Sequence, residues 1–216
     1  MAIQTVGIVG AGQMGNGIAH VFALAGYDVL MNDVSEDSLS KALATIDRNI
    51  ERQVTRGKVT AEAKAEAMAR IKTSLTIADL GPCDLIIEAA TEKEEIKHRI
   101  FAEAGKVLAA DSIMASNTSS IPITRMAVSS PDPARFIGLH FFNPVDRMQI
   151  VEIVRTDTTS DETIETAVAF VRKIDKLPIV VKDSPGFLVY RILMPYLVEA
   201  ALLFEKGGDP DDIDST

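Results

Sequence analysis

An α/β fold, with a doubly wound and mostly parallel sheet followed by the start of an all-α segment, is predicted by three observations. Short apolar strands alternate with amphipathic helices along most of the chain, the arrangement that yields a parallel sheet covered on both faces. The first strand, Thr5-Val6-Gly7-Ile8-Val9, runs straight into Gly10-Ala11-Gly12-Gln13-Met14-Gly15 and then into the helical run Ile18 to Leu24. Beyond Gly186 the strand pattern ceases, and an almost wholly apolar stretch from Phe187 to Phe204 replaces it.

The glycine turn carries the most information. Gly10 permits a tight turn, Gly12 lets a pyrophosphate approach the backbone, and Gly15 lets helix and strand pack closely. Gln13 and Met14 open the helix, whose unpaired N–H groups and partial positive charge suit a phosphate. Tyr27 to Met31 reads as a second strand that ends at Asn32-Asp33. Asp33 is placed to accept hydrogen bonds from an adenosine ribose. It would repel a 2′-phosphate, and no Arg lies within Val34 to Asp37, so NAD is expected rather than NADP. Strand, glycines, helix and acid in register point to a Rossmann-type dinucleotide site rather than an ordinary strand-to-helix turn.

After Asp33, Ser35 can cap a helix through Leu39, Leu43, Ile46 and Ile50, which share one face. Thr55 to Ile71, rich in Ala, Glu, Lys and Arg, reads as an exposed helical arm. Asp84 to Ala90 is a strand, Ile96 to Val107 a helix, and Ser112 to Ser116 another strand. Phe136 to His140 and Gln149 to Val154 read as strands, Ser160 to Ile174 as a helix, and Leu177 to Val181 as the last strand. Asp183-Ser184-Pro185-Gly186 then marks a boundary between a sheet domain, 1–184, and an incomplete helical one, 185–216.

A helix that is apolar on nearly every face must be surrounded by protein. A homo-oligomer, or association through the 187–204 helix, is therefore expected. Gly207-Gly208 stops that helix, and Asp209-Pro210-Asp211-Asp212 has the cap, proline and acids of a new one with little chain left, as in a fragment.

The chain has 216 residues, 47% of them hydrophobic, with a net charge of −9 that argues against a nucleic-acid partner. An anionic substrate would need a local basic patch. Arg191, Pro195 and Glu199 interrupt the most apolar stretch, so no membrane span is read. Met1 to Gln4 has no leader character, and the single Cys83 suits a reducing compartment, so a cytoplasmic protein is expected. No metal site is read.

Ser116-Asn117-Thr118-Ser119-Ser120 closes a strand at its carboxyl end, the edge where ligands collect in such sheets. Asn117 and Ser119 could face nicotinamide or substrate; alternatively the segment is a polar loop in which Ser120 caps the helix that Pro122 begins. His140 ends the next strand. Glu152, flanked by Ile150, Val151, Ile153 and Val154, is costly to bury without a cation or donor, and His140 is the obvious partner. The two would form a base and its orienting carboxylate. A Glu152 facing water on an edge strand is the other reading.

Gly-Ala-Gly-Gln-Met-Gly at 10–15, Glu-Ala-Ala-Thr-Glu at 88–92, Ser-Asn-Thr-Ser-Ser at 116–120, Gly-Leu-His-Phe-Phe-Asn-Pro-Val at 138–145 and Ser-Pro-Gly-Phe at 184–187 occur in this order. With them the chain resembles the 3-hydroxyacyl-CoA dehydrogenase family, which includes 3-hydroxybutyryl-CoA dehydrogenases, over essentially its whole length. The resemblance implies NAD-dependent, reversible oxidation of (3S)-3-hydroxyacyl-CoA to 3-oxoacyl-CoA. By similarity His140 is the general acid/base, Glu152 its partner, and Ser119 a donor to the substrate's 3-oxygen. Glu92 and Lys97 match positions near nicotinamide, Asn117 and Asn143 match further site positions, and Arg52, Arg56 and Lys58 lie where family members bind the CoA nucleotide. One position departs from the family pattern: Tyr190 stands where an Asn usually helps hold the 3-oxygen. Loss of such a donor can cost about 10²–10³ in rate. A catalytically weak NAD- and CoA-binding protein, with Tyr190 filling the substrate pocket and a short C-terminus, is the alternative.

Overall fold

The glycine turn joins the first strand, β1 (Thr5–Val9), to the first helix, α1 (Gln13–Leu24). The computed structural model describes residues 3–215; Met1 and Ala2, which belong to the leader reading, and Thr216 lie outside the described residues. β2 (Asp28–Asn32) pairs parallel with β1, setting Ile8 beside Met31. Ser35 accepts a 3.2 Å hydrogen bond from the Ser38 N–H and caps α2 (Glu36–Thr55), which buries Leu39, Ile46 and Ile50 as their spacing requires.

The expected arm from Thr55 to Ile71 is more broken than its composition suggests. α2 ends at Thr55, Gly57 turns the chain at φ 68°, and Thr60 caps a separate helix, α3 (Ala61–Arg70). Ile71 then opens an edge strand, β3 (Ile71–Ser74), parallel to β2. Ile-Lys-Thr-Ser carries one large apolar side chain, so the sequence gives no strand signal there; pairing with β2 makes it a strand.

The alternation continues through β4 (Leu85–Glu88), α4 (Glu94–Ala104), β5 (Ile113–Ser116), α5 (Ile123–Ala127) and β6 (Phe136–Phe141). β7 (Ile150–Arg155), α6 (Asp161–Lys173) and β8 (Leu177–Lys182) complete it. The strand order is β3-β2-β1-β4-β5-β6-β7-β8. All neighbours are parallel except β6 and β7, which run antiparallel with His140 opposite Glu152. This one reversal brings a residue from each strand into a common register.

Apolar side chains pack on both faces. Ile18, Phe22, Ile46 and Phe170 belong to one cluster, and Ile100, Phe101, Met126 and Phe136 to the other. Phe101 meets Phe136 edge-on, with centroids 4.7 Å apart. Cys83 lies in this second cluster, where burial, aided by the charge of Asp84, pushes its thiol up to about 12.

After β8 the chain bends through Gly186 (φ 74°) and Phe187 (φ 50°). A left-handed Phe costs about 1–2 kcal/mol, and burial of its ring offsets that. The bend starts α7 (Val189–Glu205), along which Ile192, Tyr196, Val198 and Phe204 are exposed. Asp209 caps α8 (Pro210–Asp214), as the Asp-Pro signature predicts. Among the described residues no helix is long and apolar enough to cross a membrane.

Candidate active site

Because β1, β2, β4, β5 and β6 run the same way, their carboxyl ends deliver the glycine turn, Asp33, Ala89, Asn117 and His140 to one edge of the sheet. A cavity of about 760 Å³ occupies one side of this edge, lined in part by Gly10, Gly12, Asp33, Val34, Thr91 and Ile96. A second, of about 410 Å³, is lined by residues that include Met14, Glu92, Asn117, Ser119, His140 and Tyr190. Ala89 and Ala90 line both, so the two form one elongated cleft.

The glycines fit a dinucleotide. A Cβ on Gly10 would lie 2.6 Å from the Ala89 carbonyl oxygen, and one on Gly15 would overlap the Gly10 carbonyl. These two are small for packing. Gly12 is different: a Cβ there meets nothing within 4 Å, so its bareness leaves room for a ligand. Gly12 is also the N-cap of α1, without a side-chain cap and without an acid in the first turn, so the turn's electropositive end is open. Gln13 is exposed and Met14 half-buried at that opening. The Asp33 carboxylate accepts from the Ala11 N–H at 2.8 Å and the Ser35 N–H at 3.0 Å. Each oxygen keeps acceptor capacity for a hydroxyl.

At the far end of the cleft, His140 Nδ1 lies 2.6 Å from Glu152 Oε2, and both side chains are buried. Glu152 Oε1 accepts from the Leu188 and Val189 N–H groups at 2.8 and 2.9 Å. Burial pushes the Glu152 carboxyl up, but the bonds from His140 and these two amides outweigh it and hold the group below the ordinary carboxylate value. Glu152 is therefore an acceptor near neutral pH and Nδ1 must donate, so that in the neutral ring the lone pair falls on Nε2. Among the described residues Nε2 has no hydrogen-bond partner. The rings of Phe142, Phe187 and Tyr190 surround the imidazole at centroid distances of 4.4, 5.7 and 5.6 Å.

Ser119 lines the same cavity, and its N–H donates to Glu92 Oε1 at 3.3 Å. Asn117 is half-structural, its Oδ1 accepting from the Phe141 N–H at 2.9 Å. Asn143 precedes a cis Pro144 and is exposed on the cavity rim. Ser120 does not cap a helix: α5 begins without a side-chain cap, and the Ser120 hydroxyl donates to Glu92 at 3.2 Å. Glu92 also accepts from the Thr118 hydroxyl. Burial pushes its carboxyl up, while Thr118 and Lys97 more than reverse that and hold it low.

Lys97 shows what the sequence conceals. Its ammonium is 1% exposed and sits 2.8 Å from both oxygens of Glu88, a strand residue absent from the expected site. No local pattern reveals a pair formed between a strand end and the helix that follows it.

Arg52, Arg56 and Lys58 line a third cavity of about 390 Å³, joined by Arg147 and faced by Asp146. None of these four cations forms an ion pair among the described residues. The loop that supplies Asn143 and Met148 to the cavity beside His140 supplies Asp146, Arg147 and Gln149 to this one. Arg147 carries no charge-cluster signal in the sequence, because it stands alone in a loop about ninety residues from the others by chain count.

The profile of the family described as "3-hydroxyacyl-CoA dehydrogenase, NAD binding domain" matches residues 5–184. The chain belongs to the 3-hydroxyacyl-CoA dehydrogenase family. It is 51% identical over 214 residues to a 3-hydroxybutyryl-CoA dehydrogenase of Bradyrhizobium diazoefficiens, covering 99% of this chain and 73% of that protein. It is 41% identical to a fatty acid oxidation complex subunit alpha of Idiomarina loihiensis, over 98% of this chain and 30% of the other. The crystal structure of an (S)-3-hydroxybutyryl-CoA dehydrogenase from Ralstonia eutropha superposes with a TM-score of 0.95 at 44% identity, covering 98% of this chain and 75% of that one. Within this family the open glycine turn and the acid after β2 are the features of an NAD site.

Proposed function

We propose that this member of the 3-hydroxyacyl-CoA dehydrogenase family interconverts (3S)-3-hydroxyacyl-CoA and 3-oxoacyl-CoA with NAD. The observation that carries the reading is the 2.6 Å contact of buried Glu152 with His140, whose ring lines the same cavity as Ser119, at one end of a cleft that starts at the glycine turn. NAD, when bound, supplies the hydride acceptor. His140 Nε2 takes the hydroxyl proton as the C3 hydrogen leaves with its bonding pair and C3–O becomes a carbonyl. Glu152 stabilises the imidazolium that forms. The Ser119 hydroxyl, without a partner among the described residues, donates to the 3-oxygen. Asn143 and Tyr190 border the substrate, while Gly12, Gln13, Met14 and Asp33 hold the nucleotide on the turn that Gly10 and Gly15 shape, and Glu92, Lys97 and Asn117 shape its nicotinamide end.

The thioester's nucleotide end is assigned to the basic cavity of Arg52, Arg56, Lys58 and Arg147, the local patch that an anionic substrate needs on an acidic protein. The same reading puts residues 1–184 in the nucleotide-binding domain, and 185–216 in a helical one that carries the exposed apolar α7. Self-association of two copies through α7 is part of it, with a cytoplasmic location; a particle that is monomeric in solution would overturn the self-association.

The test of the activity is loss of NADH absorbance driven by acetoacetyl-CoA. Wild type should turn over, and His140→Ala should lose at least about 10³ in kcat; an unimpaired His140→Ala protein would refute the role. One observation favours a second reading, a weak NAD- and CoA-binding protein: the Tyr190 ring stands against His140 and Phe142 on the cavity wall. Activity gained only in Tyr190→Asn would select it.

A further inference from the structure

We propose that Glu88, Lys97 and Glu92 form a charge cage whose surplus negative charge shifts the cleft's preference toward the oxidised, pyridinium form of the nicotinamide nucleotide and away from the reduced form. Glu88 acts in it as a positioning residue, not as a ligand. The proposal rests on the nucleotide reading above.

Glu88 is 0% exposed and out of reach of any ligand. Its carboxylate is fixed from three sides: the Lys97 ammonium at 2.8 Å from each oxygen, the Ser116 hydroxyl at 2.7 Å and the Ala90 N–H at 2.8 Å. Lys97 has a further contact, at 3.2 Å, with Glu92 Oε2. The ammonium gives hydrogen bonds to both oxygens of Glu88 and faces Glu92 only as an ion pair. Lys97, engaged chiefly by Glu88, cannot neutralise a second acid fully.

Two carboxylates therefore share one cation. The surplus emerges at Glu92, whose side chain is 45% exposed on the wall that also carries Ser119 and His140. Lys97 is the sole Lys or Arg among the residues lining that cavity; the one other Lys or Arg lining the cleft, Arg99, belongs to its far half, beside Gly10, Gly12 and Asp33. A plain structural link between β4 and α4 would need only one acid. A pyridinium ring is positive and a dihydropyridine ring is neutral, so the same wall attracts one and is indifferent to the other.

The discriminating experiment is calorimetric titration of the full chain with NAD and, separately, with NADH. Glu88→Gln removes one unit of charge from the cage with little change of shape. It should raise the ratio of the NAD Kd to the NADH Kd by about tenfold, mainly by weakening NAD, as expected for a lost charge a few ångströms from a cation in a partly screened site. Glu88→Asp, which keeps the charge, should leave the ratio within about twofold of wild type. If Glu88→Gln does not fold, Glu92→Gln removes the same charge at the half-exposed end and should raise the ratio in the same direction. A ratio unmoved in every folded Gln variant, or equal weakening of both forms, overturns the proposal while leaving the nucleotide site standing. A wild type that binds neither form overturns the nucleotide reading and this proposal together.

Discussion

The imidazole of His140 and the carboxylate of Glu152 are register partners across the one antiparallel pairing among the described strands, and their side chains meet at 2.6 Å. Two strands fix the pair from both sides, so neither group depends on a mobile loop for its position. Replacing Glu152 by Gln keeps the shape, removes the charge that stabilises an imidazolium, and no longer dictates which nitrogen carries the proton. The expected result is a fall in kcat of about 10²–10³ with a much smaller change in KM, read from steady-state kinetics with acetoacetyl-CoA. A KM effect alone would mean that Glu152 serves packing.

The open space over Gly12 separates binding from folding. Gly12→Ala adds a methyl group that meets no protein atom within 4 Å, so stability should change by no more than about 1 kcal/mol. NAD affinity should fall by at least about tenfold, because the methyl stands where the pyrophosphate must approach. Gly15→Ala, by contrast, should unfold or strongly destabilise the protein, since its methyl would overlap the Gly10 carbonyl. Thermal melts beside NAD titrations of both variants check this contrast.

The basic cavity predicts a selective defect. Arg56→Ala should raise KM for acetoacetyl-CoA by about tenfold, the worth of one charge-assisted hydrogen bond, and leave KM for NADH unchanged. Turnover of acetoacetyl-pantetheine, which lacks the nucleotide, should be the same in both proteins. If the truncated thioester suffers equally, the cavity does not hold the nucleotide.

Stability should depend on pH in two steps. Burial lowers the His20 pKa below its ordinary 6.5, with Lys176 acting in the same direction and Asp146 and Gln53 opposing. The unfolded chain therefore binds this proton more readily, so the contribution of His20 is complete above pH 6.5 and is lost as pH falls below it. Glu152, also held below its ordinary 4.5, has the same sign one step lower: full above pH 4.5, lost as pH falls through the folded value. Melting temperatures measured across this range should decline in both windows, and His20→Leu should flatten the upper one only.

Much of this architecture could be read from residues alone because its signals are local. Ser35, Ser160 and Asp209 each cap the helix they precede, and Ile8, Ile86 and Phe136 sit in short apolar strands that need covering on both faces. The partnership of His140 with Glu152 was legible for another reason: a carboxylate amid Ile and Val demands a donor, and few stood near. What escaped depends on contacts distant along the chain. β3 exists because β2 offers an edge, Glu88 became visible only as the counterion of Lys97, and Arg147 joined Arg52, Arg56 and Lys58 only when a loop folded beside α2. Tyr190 was recognisable as a departure from the family pattern, but its packing on the imidazole was not.

Glu152 also receives the N–H groups of Leu188 and Val189, the N-cap and first residue of α7. Anyone dissecting this protein into modules would be tempted to cut before Pro185, where the last strand has ended. Such a truncation would strip two of the three hydrogen-bond donors to Glu152 among the described residues, leaving only His140. On the proposed reading the covalent seam and the chemical one do not coincide: residues 1–184 made alone would carry the His140–Glu152 pair without the amides that hold its carboxylate.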